Sequence, residues 1–235
     1  MTGTRAGSGE RQADVVVVSG GGPPDPEAVG AVPGDAYVVA ADSGLDHARA
    51  LGLAVDLVVG DMDSVSAGSL EAAMAAGAVV ERHPEAKDAT DLELALDAAA
   101  VRGAARILVL GPDGGRLDHT LSTAALLASP RYAGIDVQAR LGLAHLVVVR
   151  SAATLTGRPG RLVTLLPMHG PARGVTTDGL LYPLRDEDLD PGSTRGVSNE
   201  MVGTTATVTV RGGVLVALLP GPAGTHWRRG VAPAP

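Results

Sequence analysis

The stretch DLVVGDMDSVSAGSLEAAMAAGAVVERH, residues 56–83, decides the fold. Its opening run, DLVVG, is apolar without alternation, which predicts a strand buried on both faces, as in a parallel sheet covered by helices. SAGSLEAAMAAG (66–77) then predicts a helix starting on the cap residue Ser66 and stopping at Gly77, and AVVERH (78–83) predicts the next strand. Strand, helix, strand is the unit of an α/β sheet. At the exit of the first strand stand Asp61 and Asp63. Residues two apart on an extended chain share a face, and two close carboxylates resist joint ionisation unless a cation lies between them. Asp and Ser are also ordinary turn and cap residues, so this fragment alone carries either reading.

The same alternation extends on both sides. DVVVVSG (14–20), AYVVAAD (36–42) and RILVLG (106–111) predict further strands. LDHARALG, TDLELALDAAAVRG and LDHTLSTAALLA predict helices between and after them. Beyond about residue 150 the texture changes to short runs rich in Val, Thr and Leu: RLVTLLPM, GVTTDGLLYPL, TATVTV and VLVALLP. In TVTVRGGVLVAL the pair Gly212-Gly213 reads as a tight hairpin turn. The expected fold is therefore α/β: an open, mainly parallel sheet domain over 14–145, followed by a smaller β-sandwich domain over 146–220. The last stretch, with Trp227, reads as a tail in which the tryptophan is a peripheral packing residue.

Composition narrows the chemistry. A net charge of −7, without basic runs interleaved with aromatics, argues against a nucleic-acid surface. The absence of cysteine excludes disulfides, thiolate metal sites and cysteine nucleophiles. The longest apolar run, LGLAHLVVV (141–149), is too short to span a bilayer, and the N-terminal residues carry no apolar signal core, so a cytoplasmic location is expected. The six histidines show no short metal-ligand spacing, which argues against a zinc hydrolase, although His119 neighbours Asp118. The chain holds a single lysine, Lys87, and a single asparagine, Asn199.

In an open α/β sheet ligands bind beyond the carboxyl ends of the strands. Four consecutive exits carry carboxylates: ADSG with Asp42, GDMDS with Asp61 and Asp63, KDATDLELAL with Lys87, Asp88, Thr90 and Asp91, and GPDGGRLDH with Gly114, Gly115, Arg116 and Asp118. Together they predict an acidic basin that needs a divalent cation, and oxygen-only ligation completed by water and phosphate suits magnesium. TDLE has the form of a capping box, with Thr90 as cap, Glu93 reaching back and Asp91 in the first helical turn. Asp88 and Asp91 could then face one ion, although Asp91 could equally be a favourable helix-start charge. The glycine turn before Arg116 offers backbone amides to an anion, and the guanidinium adds a fork for phosphate oxygens. It is neither a Walker loop nor a dinucleotide fingerprint. Such parts serve phosphoryl or pyrophosphoryl transfer, which rests on positioning and charge neutralisation.

In this order and spacing the four motifs resemble thiamine pyrophosphokinases, and GLLYPL with GSTRGVSNE resembles the C-terminal β domain of that family; the likeness spans roughly residues 14–219. The resemblance implies magnesium-dependent transfer of pyrophosphate from ATP to thiamine, giving thiamine diphosphate and AMP. It also implies a homodimer with the vitamin between the α/β domain of one subunit and the β domain of the other. Carried over by position, Asp61, Asp63 and Asp91 would hold the metal, with Asp42 and Asp88 nearby. Lys87, Thr90 and Arg116 would contact the triphosphate, Asp118 would orient Arg116 or approach the attacking hydroxyl, and Ser198 and Asn199 would bind the aminopyrimidine. Two rival readings stand beside it: the same chemistry on another alcohol such as a hydroxymethylpterin, and a non-catalytic nucleotide- or thiamine-binding module.

Overall fold

The computed structural model describes residues 13–86, 88–112 and 116–221. Six parallel strands build the first half of the described residues: β1 (Ala13–Val18), β2 (Tyr37–Ala41), β3 (Leu57–Gly60), β4 (Val79–Arg82), β5 (Ala104–Gly111) and β6 (Asp136–Leu141) stand in the order β4-β3-β2-β1-β5-β6. The helices α1 (Gly44–Ala50), α2 (Ala67–Ala75), α3 (Asp91–Val101) and α4 (Leu117–Leu127) lie where the apolar periodicity predicts them. Side chains alternate across each strand, so β1 sends Val15 and Val17 to the face covered by Leu96 and Ala99 of α3, and Val16 and Val18 to the face covered by Ala48 of α1. Strand order reverses between β1 and β5, which opens a crevice at their carboxyl ends.

At Gly142 (φ 52) the chain turns back, and β7 (Ala144–Val149) pairs antiparallel with β6. β8 (Ala152–Thr156), the 17-residue β9 (Leu162–Asp178), β10 (Glu187–Leu189), β11 (Asn199–Glu200), β12 (Thr205–Thr209) and β13 (Gly212–Leu219) complete the β half. β9 is long enough to serve both layers of the sandwich: Thr164–Met168 pair with β13, and Thr176–Asp178 pair with β12. The two halves share one sheet, continued in the order β6-β7-β13-β9-β12-β8. Alternation again divides the side chains: Leu146, Val148, Val214 and Val216 join the core under α3, whereas Val147, Val149, Leu215, Ala217 and Leu219 fill the sandwich.

One expectation is corrected here. β12 and β13 do not form a hairpin with each other; both flank β9, on opposite layers. The glycine pair serves a change of sheet instead, with Gly213 at φ +83 packed against the backbone of Pro171 and Ala172, where a Cβ would collide. Among the described residues no helix is long and apolar enough to cross a membrane. Trp227 lies outside the described residues.

Candidate active site

The exit of β3 brings its two aspartates together, though not by strand alternation. The strand ends at Gly60, and Met62 turns the chain with a left-handed φ of 68° while burying its side chain beside Leu45 and Ala73. With Met62 anchored below, Asp61 and Asp63 stand above it, and the Asp63 amide donates to Asp61 Oδ1 at 3.2 Å. Asp42, also left-handed at φ 47, joins them: carboxylate oxygens of Asp42, Asp61 and Asp63 lie within 4.8 Å of one another. Asp42 is thus a full member of the carboxylate trio rather than a neighbour of it. It is only 8% exposed, and among the described residues its Oδ1 has no hydrogen-bond partner. Burial pushes its pKa above the ordinary carboxylate value, and the nearby charges of Asp91, Asp61 and Asp63 add to the rise, against a lowering hydrogen bond from the Ser43 backbone.

Asp91 reaches the same place from the first turn of α3. A Cβ on Gly60 would lie 3.0 Å from Asp91 Oδ1 and 3.1 Å from Asp42 Cβ, so the glycine is what lets the two carboxylates approach. Thr90 caps α3 as expected, its hydroxyl accepting from the Glu93 amide at 3.2 Å. The reciprocal half of the capping box is absent from the described bonds, because Glu93 Oε1 accepts from Arg131 instead at 2.9 Å. Ser66 likewise precedes α2 without a side-chain cap and donates to Asp46 Oδ1 at 2.8 Å. Asp88 is exposed and stands outside the carboxylate trio.

Arg116 and Asp118 hold each other at the start of α4, through Nε to Oδ1 at 3.2 Å and NH2 to Oδ2 at 2.6 Å. That bidentate fork lowers the Asp118 pKa to about 2. Lys87, Gly114 and Gly115 lie outside the described residues.

A cavity of about 500 Å³ opens over the β1/β5 crevice, bounded by Asp42, Thr90 and Asp91 on one side and by His119, Thr120 and Thr123 of α4 on the other. Its floor includes Ser19, Gly20 and Gly21, which follow β1. These went unassigned in the sequence because the first strand exit carries no charge; its signal is the run SGGG at 19–22. Glycine is needed there, since a Cβ on Gly20 would sit 2.6 Å from Ser43 Oγ.

Ser198 and Asn199 do not reach this cavity in the single chain. Asn199 is 6% exposed and its amide is committed to backbone: Oδ1 accepts from the Tyr182 and Glu200 amides at 3.0 and 2.9 Å, and Nδ2 donates to Tyr182 O at 2.7 Å. This asparagine clamps the loop after β9, which leaves little of its amide to read a ligand. Ser198, by contrast, is exposed and left-handed at φ 59.

Comparison with known proteins agrees with this layout. Residues 32–139 match the model of the thiamin pyrophosphokinase catalytic domain, and residues 147–215 match that of the thiamin pyrophosphokinase vitamin B1 binding domain. The chain belongs to the thiamin pyrophosphokinase family. Among curated proteins it is similar to a thiamine pyrophosphokinase of Bacillus subtilis, with 27% identity over 169 residues, 68% of this chain and 75% of the relative. A crystal structure of thiamin pyrophosphokinase from Geobacillus thermodenitrificans superposes with a TM-score of 0.74 at 26% identity, covering 90% of this chain and 99% of that one. The Candida albicans enzyme shares the fold, with a TM-score of 0.72 at 14% identity over 88% of this chain and 89% of that one. Membership makes this chain a pyrophosphotransferase-type kinase of small-molecule substrates.

Proposed function

We propose that the protein transfers pyrophosphate from ATP to thiamine, giving thiamine diphosphate and AMP, with magnesium at the carboxylate trio and in a cytoplasmic setting. The observation that carries this reading is the buried, unpartnered Asp42 Oδ1 among Asp61, Asp63 and Asp91. An acidic oxygen desolvated beside other carboxylates is costly unless a cation shares it, and an all-oxygen donor set fits magnesium. Asp42, Asp61 and Asp63 would hold the ion, with Asp91 beside them; when bound, magnesium neutralises phosphate charge.

The protein's own groups divide the remaining work. The amides of Gly20 and Gly21 and the start of α3 border the cavity, where they favour a polyphosphate. Asp118, with its pKa near 2, is a poor proton acceptor at neutral pH, so its part is to aim the Arg116 fork at phosphate oxygens. Lys87, Gly114 and Gly115 belong to the same polyphosphate grip by their place in the family motifs.

The acceptor site is completed, in this reading, by a second copy of the chain. Leu181, Tyr182, Val197 and Val202 are exposed around Ser198 in the β half, a surface suited to partner the open cavity. Asn199 acts there through the loop it holds.

Purified protein with ATP, magnesium and thiamine should release AMP and thiamine diphosphate in equal amounts, read by chromatography. AMP release with a hydroxymethylpterin and none with thiamine would overturn the acceptor. Tight ligand binding without turnover would favour a binding module. Mixing inactive Asp63→Asn with inactive Ser198→Trp should restore part of the activity if each site draws on two subunits; mixtures that stay inactive argue for a site within one chain.

A further inference from the structure

The floor of the reaction cavity is held from behind by a side chain of α1. Ser19 is the first residue after β1, and hydrogen bonds fix it on both flanks. Its amide and its hydroxyl donate to Leu110 O of β5 at 2.9 and 3.3 Å, and its carbonyl oxygen accepts from His47 Nδ1 of α1 at 3.2 Å. A carbonyl oxygen only accepts, so Nδ1 carries the proton. The backbone on either flank approaches closely. A Cβ on Gly44 of α1 would come within 2.1 Å of Val18 O, and one on Gly111 of β5 within 2.9 Å of Ser19 Oγ. Ser19 is thus clamped between a helix and a strand.

The residues that follow it are left open. Among the described residues, the amides of Gly20 and Gly21 donate to no group, although Gly20 is half-buried and both line the cavity. A trans peptide is planar, with its C=O and N–H pointing in opposite directions. The bond that draws Ser19 O to His47 therefore turns the Gly20 N–H away from the ring. Ser19 and Gly20 line the cavity and His47 does not, so the ring grips this peptide from outside the cavity wall.

Taking the cavity as the ATP site, we infer that His47 is a positioning residue of the reaction: by holding Ser19 O it aims the Gly20 N–H at a phosphate oxygen of the nucleotide. An amide fixed in advance needs no reordering when the anion arrives. Without the ring, the peptide is free to swing and present its oxygen to the phosphate instead.

Three variants separate this role from mere support of α1. His47→Asn puts an amide N–H where Nδ1 stands, on the same two rotatable bonds. His47→Gln carries its amide one carbon further, and His47→Leu has no donor. Full-length protein titrated with magnesium and α,β-methylene-ATP, whose α–β linkage resists cleavage, should show wild-type affinity for His47→Asn. Binding should be about fivefold weaker for His47→Gln and His47→Leu. The same two variants should raise KM for ATP by a similar factor and leave KM for thiamine unchanged. Support of the helix alone predicts the reverse ranking, because Gln is a better helix former than Asn. His47→Gln serves if His47→Leu fails to fold. The inference is overturned if folded His47→Gln binds the analogue as tightly as wild type, or if His47→Asn binds it as weakly as His47→Leu. Wild-type protein that does not bind the analogue overturns the ATP reading as well. Protein that keeps the expected ranking but releases no AMP with thiamine overturns only the acceptor.

Discussion

Asp42 is where stability and function pull in opposite directions. Its pKa is raised in the folded protein, so without metal its contribution to stability is greatest below the ordinary carboxylate value of 3.8 and is lost as pH rises through the folded value. Asp42→Asn should therefore raise the melting temperature of the metal-free protein at neutral pH, by on the order of 2–4 °C for each kcal/mol relieved in a chain of this size. The same variant should lose turnover and lose the stabilisation that magnesium gives the wild type, both measurable by calorimetry and AMP release. Gly60 makes the opposite demand. Its φ of +148° and the closeness of Asp91 and Asp42 leave no room for a methyl group, so Gly60→Ala should cost about 1–3 kcal/mol and at least about tenfold in turnover. Much of this was legible in the sequence, because four charged strand exits converge in any open α/β sheet. What pairs Asp61 with Asp63 was not, since the left-handed turn at Met62 depends on burying its side chain beneath the loop. Nor could the sequence reveal that the lone asparagine spends its amide on the backbone of the loop after β9.

Among the helices α1–α4, α4 is the least embedded. Leu117 and Leu121 are 70% and 62% exposed, and Leu127 is its one buried residue. Its C-terminal carbonyls are held instead by the β half: His169 Nε2 donates to Ala125 O at 2.8 Å, and Arg150 donates to Ala128 O and Ser129 O at 3.1 and 2.8 Å. Orphan carbonyls at a helix end are well matched by such donors. Since α4 begins at Arg116 and walls the cavity, loosening its far end should blur the phosphate grip at the near one. Arg150→Ala with His169→Ala should speed amide exchange along 117–127 by about tenfold and raise KM for ATP more than it lowers kcat. Helix positions were readable from apolar spacing and stop glycines, whereas these caps come from residues more than twenty positions away and leave no local signal. The Gly212-Gly213 pair misled for a related reason: a tight glycine turn fits a hairpin, and only the length of β9 decides that the strands part to either side of it.

For the whole molecule the decisive feature is that β7 and β13 supply side chains to both cores. Leu215→Ala weakens the sandwich and Val216→Ala weakens the α/β core, yet both should lower a single unfolding transition, the leucine variant by about 2–4 kcal/mol. Separate transitions by far-UV and near-UV circular dichroism would mean that the halves unfold independently. The change of texture near residue 150 was plain in the sequence, and it suggests two bodies. The shared wall was not, because the long-range pairing of β13 with β7 depends on strands some seventy residues apart.

The continuous wall also limits how the protein can adapt to what it binds. Rocking one half against the other would shear the backbone ladders joining β6, β7 and β13, so a clamshell motion is denied to it. Any tightening around a nucleotide has to come from short segments at the strand tips, above a frame that stays still.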